Sequence, residues 1–361
     1  MWRGSSWGSE ATAPDAPALE LCDSHWPRHN GSMGPGRRAA IAIGLALIAS
    51  ASIGARAAPQ AGQARPAVHA PSPAPAAPAA APAPPSPAVP LNTPLPPTHE
   101  FIRKMRGAIR FDEDLQQAYT YLERRRDVKI TGLGKVSVGP MRTFEVYPSN
   151  QPGRTYKRLI AVDGKPLPPA DLARRDEEHR QNVLAEHERD KAETPAARNA
   201  RLAKEAQERR ERDAIVNDAF AIFEATAIGR DSIDGQDVLV LWIRPRSNVS
   251  PRTREGGYMT KFAGKIWVVE ADGQIVKLDL TAFDDIPVGY GVVGRVHTGA
   301  RLEFARRHVN NETWLPAWSH ITAKGRTLLF RPFDFDVRTD YTDYKKWSVD
   351  TKVTFEGLTK P

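Results

Sequence analysis

Beyond Val128 the chain runs in short stretches of alternating apolar and polar residues, the period-2 signature of half-buried strands. Val128/Ile130 and Val136/Val138 alternate around Gly132 and Gly134, and Thr143–Tyr147 continues the pattern. Tyr156–Val162 ends in the turn pair Asp163-Gly164, after which Pro166, Pro168 and Pro169 stop the sheet. Downstream, Glu224–Ile233 leads through Asp234-Gly235 to Gln236–Arg244, and Gly264–Val269 meets Gln274–Leu280 across Asp272-Gly273. Ala300–Val309 reaches Trp314–Thr322 through Asn310-Asn311-Glu312, and Arg326–Arg331 leads to Phe333–Tyr344. Strand follows strand through short turns without crossover helices, which predicts an antiparallel, meander-like sheet.

A helical period appears in three places. Leu115, Ala118 and Leu122 share one helix face, with Asp112–Asp114 before them and Arg124–Arg126 behind, and this spacing predicts a helix. Asp171–Asp213 is dense in charged helix formers, with favourable pairs such as Glu177/Gln181 and Glu205/Arg209. Thr194-Pro195 reads as an N-cap followed by a first-turn proline, so the segment divides into two helices. Its apolar residues are few (Leu172, Val183, Leu184 and Leu202), and acidic and basic residues balance, which argues against a nucleic-acid patch. The 171–213 segment is either a solvated helical insertion or an arm that holds a partner. Ala214–Phe223 is a short helical run leading into the next strand.

The residues ahead of the folded part bear on compartment. Residues 1–32 form a polar leader without periodicity, and Met33 reads as the more natural start, so 1–32 is expected to be a non-native leader or a misassigned start. Residues 33–57 carry Arg37-Arg38, the apolar run Ala39–Ala55 and the small-residue site Ala55-Arg56-Ala57, the three parts of a secretory signal peptide. At 17 residues the apolar run also meets the lower limit for a membrane span. Cleavage gives a periplasmic or exported protein; retention gives an inner-membrane anchor, and hence membrane association, with the remainder facing the periplasm. Residues 58–98 are expected to be a disordered Ala/Pro-rich linker, a spacer whose composition favours extended polyproline-like states over a packed helix. The one cysteine, Cys22, precedes Met33, so the mature chain would have no thiol, disulfide or cysteine chemistry. Residues 99–361 suffice for a single domain held by its own core.

Catalytic motifs are not found. His179 and His187 are eight apart, not four, and HExxH, G-x-S-x-G and P-loop patterns are absent. Asp284-Asp285 and the pair Asp334/Asp336 offer paired carboxylates, but Asp334 and Asp336 alternate with Phe333 and Phe335 as the polar face of a strand would. No enzyme, metal site or cofactor is expected. The net charge of +8 includes the leader and signal; Arg301, Arg306, Arg307, Arg326 and Arg331 remain clustered in the C-terminal hairpins. Outside the cytoplasm such a basic face would meet anionic lipid or cell-wall polymer, not nucleic acid, while scattered solvated arginines are the default reading.

The hairpin GKIWVVEADGQIVKLDL (Gly264–Leu280), the strand pair RLEFARRHVNNETWLPAWSHI (Arg301–Ile321) and GRTLLFRPFDFDVRTDYTDYKKW (Gly325–Trp347) resemble the lipoprotein-carrier superfamily of the bacterial envelope. That group comprises the LolA/LolB-like and related outer-membrane lipoprotein-sorting proteins. The resemblance covers roughly Asp112–Trp347 in order of elements, and the insertion 171–213 departs from the compact carriers. It implies an α+β, mainly β fold: a curved antiparallel sheet, a half-open barrel, packed on helices. It also implies a non-catalytic role, with a lipid, acyl chain or lipidated protein bound in an apolar cavity. The ligand-cavity candidates are Trp242, Trp267, Leu278, Phe304, Trp314, Trp318, Leu329, Phe333 and Phe335. The competing expectation is an envelope interaction module that uses its charged helical arm and has a filled core.

Overall fold

The computed structural model describes residues 81–82, 94–109, 111–130, 135–149, 154–288, 294–327 and 330–346. The leader, the signal segment, most of the Ala/Pro linker and Leu329 lie outside the described residues. No described helix is long and apolar enough to cross a membrane.

The chain order is helix α1 (Thr98–Ala108), helix α2 (Asp112–Gln116), strands β1 (Tyr119–Ile130), β2 (Val136–Tyr147), β3 (Tyr156–Val162) and β4 (Lys165–Pro166). Helices α3 (Pro169–Lys191) and α4 (Pro195–Ile222) follow, then β5 (Phe223–Ile233), β6 (Gln236–Pro245) and helix α5 (Arg254–Met259). The rest is β7 (Phe262–Val269), β8 (Ile275–Ala282), β9 (Ile286–Val288), β10 (Gly294–Val296), β11 (Arg301–Val309), β12 (Thr313–Thr327) and β13 (Arg331–Lys346). Mainly antiparallel strands with a few helices is the outcome the alternation predicted.

All the strands join one open sheet, in the order β4-β3-β2-β1-β13-β12-β11-β8-β7-β6-β5, with β10 and β9 branching from β12. One pairing could not be read from local pattern: β1 pairs with β13, placing Glu123 opposite Tyr341. β4 and β5 stand at the two ends of the path, and α3 with α4 is the segment of chain that joins them.

The helix expected over Leu115–Arg126 is a correction. Helix α2 stops at Gln116, and β1 begins at Tyr119. Tyr119, Tyr121, Glu123 and Arg125 are buried while Thr120, Leu122 and Arg124 are not, so the period in this stretch is two. Aromatic residues favour a pleated, half-buried surface, and pairing with β13 outweighs the helical spacing of three apolar positions. Arg326–Arg331 is likewise not a separate strand: Arg326 and Thr327 end β12, and Arg331 begins β13. Of the run Ala214–Phe223, residues up to Ile222 form the last turns of the 28-residue α4, and Phe223 begins β5. Thr194 caps α4 through its hydroxyl, which accepts from the Ala197 amide at 3.2 Å.

The two faces of the sheet differ in chemistry. One, the helix face, carries Leu239 and Leu241 of β6, Ile266 of β7, Leu278 and Leu280 of β8, and Leu302 and Phe304 of β11 in one cluster. Phe101 and Met105 of α1, Tyr258 of α5 and Phe220 of α4 pack onto it. The opposite face has a smaller apolar cluster of Val238, Trp267, Val269, Val276 and Trp314. It is otherwise charged.

Candidate functional site

Helix α1 lies over the helix face because its i,i+4 pair Phe101 and Met105, each 6% exposed, projects from one side into the main cluster. It is fixed at the β7–β8 turn. Lys104 Nζ donates to the carbonyls of Glu270 and Ala271, both at 3.2 Å. Gly273 in that turn has φ 78°, and a Cβ there would come 2.8 Å from the Met105 backbone nitrogen. Only glycine meets both demands, the left-handed backbone and the close approach of α1. Helix α4 holds the other side of α1: the Arg106 guanidinium lies 4.9 Å above the Phe220 ring.

The cluster behind α1 is apolar, mixing aliphatic side chains with rings such as Phe262 and Phe304, but the part of the same face on β1–β3 and the end of β13 carries buried charge. Fully buried Glu123 is held by Arg125 and by Lys157, each at 2.7 Å, and Arg125 also meets Asp127 at 3.2 Å. Around them lie Tyr121, Phe144, Val146 and Tyr341. Burial, reinforced by the nearby Glu123 carboxylate, pushes the Tyr341 hydroxyl well above the ordinary tyrosine value, so it stays neutral. Tyr344, raised chiefly by burial, donates to the Pro316 carbonyl at 2.9 Å and accepts from Gln116 at 3.0 Å. Where the two regions meet, Arg306 and Asp112 form an ion pair of 2.6 Å, both side chains 2% exposed. Arg306 also donates to the Ile275 carbonyl at 3.2 Å and lies 5.5 Å over the Phe304 ring. The helix face thus grades from apolar to polar across its width.

The opposite face carries a cross-strand ladder. Lys265, Asp279, Glu303, His320 and Arg338 stand directly opposite one another on β7, β8, β11, β12 and β13. Arg301 reaches Asp279 with two bonds of 2.8 and 2.7 Å, and Asp279 raises its already high pKa. His320 places one ring nitrogen 3.0 Å from Glu303 and the other 2.7 Å from Asp336. Both nitrogens of this imidazole are thus engaged by carboxylates.

The structure divides the nine cavity candidates between the faces. Leu278 and Phe304 are fully buried on the helix face, and Phe333 and Phe335 pack against the same cluster, half-buried. Trp242, Trp267, Trp314 and Trp318 lie on the opposite face. Trp267 and Trp314 share the small cluster there, and the Arg338 guanidinium lies 4.6 Å over Trp318. Of the tryptophans, none joins the cluster under α1. Leu329 lies outside the described residues.

The five arginines of the C-terminal hairpins do not form one basic patch, and they are not all solvated: Arg306 is buried on the helix face with Asp112, and Arg301 is bound to Asp279 on the other. Asp336 faces His320 and Asp334 meets Lys324 at 3.0 Å, while Asp284 pairs with Lys261 and Asp285 receives the Thr298 amide. Neither acidic pair forms a carboxylate couple. No group of three or more His, Cys, Asp or Glu among the described residues is arranged to hold a metal ion.

The sequence reading did not name Phe101, Met105 or Tyr258, which complete the cluster. The available signal was Phe101 and Met105 four apart, a short clue with no flanking repeat. Glu123 and Arg125 went unread because charged residues are taken as exposed, yet their alternation with Tyr119 and Tyr121 marks the buried face. Compared with known proteins, the chain matches no family model, and no curated protein is significantly similar to it.

Proposed function

We propose that the protein is a non-catalytic cell-envelope binder. It takes up an acyl chain, lipid or lipidated partner on the helix face of a sheet curved into a half-open barrel. The observation that carries this reading is the cover of that face. A broad apolar surface is covered by α1, with Phe220 of α4 and Tyr258 of α5 beside it, and not by a second sheet; the two inward side chains of α1 stand where a ligand's chain would lie. Such a helix is a replaceable occupant: each apolar group it withdraws leaves surface that a ligand can cover at ~25 cal/mol per Å². The graded polarity of the face suits an amphipathic ligand, with its tail under α1 and its polar end toward Glu123, Arg125 and Tyr341. Phe330, 76% exposed at the β12–β13 turn, offers a first contact to lipid. The export segment at 33–57 puts the domain among such ligands.

The test is native mass spectrometry of protein purified from bacterial membranes, together with titration of a fluorescent long-chain fatty acid. Co-purifying lipid and saturable binding are expected. Absence of both, with Phe101→Ala/Met105→Ala also unable to bind, would overturn the reading.

A second reading has its own observation. No residue of α3 is buried, and Val183, Leu184 and Leu202 are 47, 54 and 45% exposed on the helical arm. An envelope protein partner would cover them. Leu184→Lys/Leu202→Lys would then lose co-purifying protein while leaving lipid binding intact.

A further inference from the structure

On the charged face, Trp242, Ala263, Lys265, Thr281 and Phe283 line a groove of about 170 Å³, and Pro82 forms part of its wall. Pro82 belongs to the Ala/Pro tract, far from these strands in sequence, yet it is placed against the sheet here. A second contact fixes the same tract, since Arg230 Nη2 donates to the Pro94 carbonyl at 3.1 Å. The indole nitrogen of Trp242 is shielded from solvent and has no hydrogen-bond partner among the described residues. An indole N–H can only donate, so this site lacks one acceptor.

Polyproline segments supply what is missing. A polyproline II helix makes no internal hydrogen bonds, so its carbonyls project outward at a rise of ~3.1 Å per residue, ready to accept. Its proline rings pack on aromatic side chains, and its pre-set backbone loses little entropy on docking. The tract repeats the required unit at Pro78, Pro82, Pro84, Pro85 and Pro87. The small side chain of Ala263 leaves room beside Trp242 and Phe283 for a chain to lie along the strands.

We propose that this groove is a polyproline-binding site, occupied by the chain's own Ala/Pro tract, with the Trp242 indole donating to a tract carbonyl. The site is independent of the acyl-chain reading, because it lies on the opposite face of the sheet. Its consequence is a tether of two lengths. With the tract docked, only the residues ahead of Ala81 give reach; with the tract released, residues ahead of α1 all do. Another Ala/Pro-rich peptide could exchange with it.

The test uses the full-length chain and the indole ¹H–¹⁵N resonances of its eight tryptophans. Trp242→Phe identifies the Trp242 signal. That signal is expected to move when Pro78, Pro82, Pro84, Pro85 and Pro87 are all changed to Gly, and to return on titration with a synthetic peptide of residues 71–90. Trp242→Phe, which keeps a ring but removes the donor, is expected to weaken binding of that peptide at least fivefold in the Pro→Gly background. In the intact chain the Ala81 amide should relax as slowly as the strands do, and faster in Trp242→Ala. An unchanged Trp242 signal in the Pro→Gly chain, with no response to peptide, overturns the site. A signal that depends on protein concentration overturns occupancy in cis and assigns it to a second copy. The Pro→Gly changes lie outside the sheet, so this arm of the test does not depend on refolding a core variant.

Discussion

Asp112 and Arg306 show how a single buried pair governs this fold. Arg306 comes from the middle of β11 and Asp112 from the first residue of α2, so their bond ties a helix to the sheet over 194 positions of sequence. Removing one partner strands a charge at a site with 2% exposure, a loss of ~3–5 kcal/mol, whereas replacing both with apolar residues of similar volume is often neutral. Arg306→Met should therefore be far more destabilising in urea unfolding than Arg306→Met combined with Asp112→Leu. Equal losses in the two proteins would mean that the pair stabilises by its net attraction. Glu123 and Arg125 follow the same logic on β1, and both were invisible to a reading that assigns charge to the surface. Their burial follows from β1 pairing with β13, a contact no local pattern announces.

Helix α3 buries no residue, and its attachment to the sheet is titratable. His179 stacks on Tyr156 of β3 with ring centroids 3.8 Å apart, and Asp176 accepts from Arg158 at 2.8 and 2.7 Å and from Tyr156 at 2.8 Å. Burial holds His179 below its ordinary pKa of ~6.5, so its contribution is present above that value and is lost as pH falls through it. The Arg158 hydrogen bonds hold Asp176 below the ordinary carboxylate value, so its contribution is lost only in stronger acid. Thermal melts at pH 7.5 and 5.5 should show a loss of stability for the native chain that His179→Phe largely removes; an identical loss in both would exclude His179 as the cause. The elements differ in how openly the sequence announces them. Hairpins were legible because Asp163-Gly164, Asp234-Gly235 and Asn310-Asn311 are residues that tolerate the left-handed backbone they adopt, with φ between 48° and 76°. Helix α1 was not, since three turns with two buried side chains carry little periodic signal. The face taken by each strand was equally hidden: Trp242 and Leu241 are neighbours, and only the packing of α1 decides which one is core.

For the molecule as a whole, the proposed acyl-chain binding implies that the cover over the helix face would set how tightly a ligand is held. If a ligand and α1 compete for one surface, the apparent affinity is the intrinsic affinity reduced by the fraction of molecules with α1 displaced. Lys104→Ala removes two exposed bonds to the β7–β8 turn without touching the apolar surface. It should raise the apparent affinity for a fluorescent fatty acid by a few-fold while leaving the saturation stoichiometry unchanged. Unaltered or weaker binding would show that α1 does not compete. The sheet beneath has a further consequence, in the order of its making. The pairing of β1 with β13 joins the first strand of the chain to the last, across about two hundred residues. During synthesis the free edge of β1 waits for its neighbour until nearly all of the domain has emerged, and the loop that must close is close to the longest the domain allows. A chain cut short before Arg331 would keep two long strand edges open, on β1 and on β12, and such edges recruit strands from other chains.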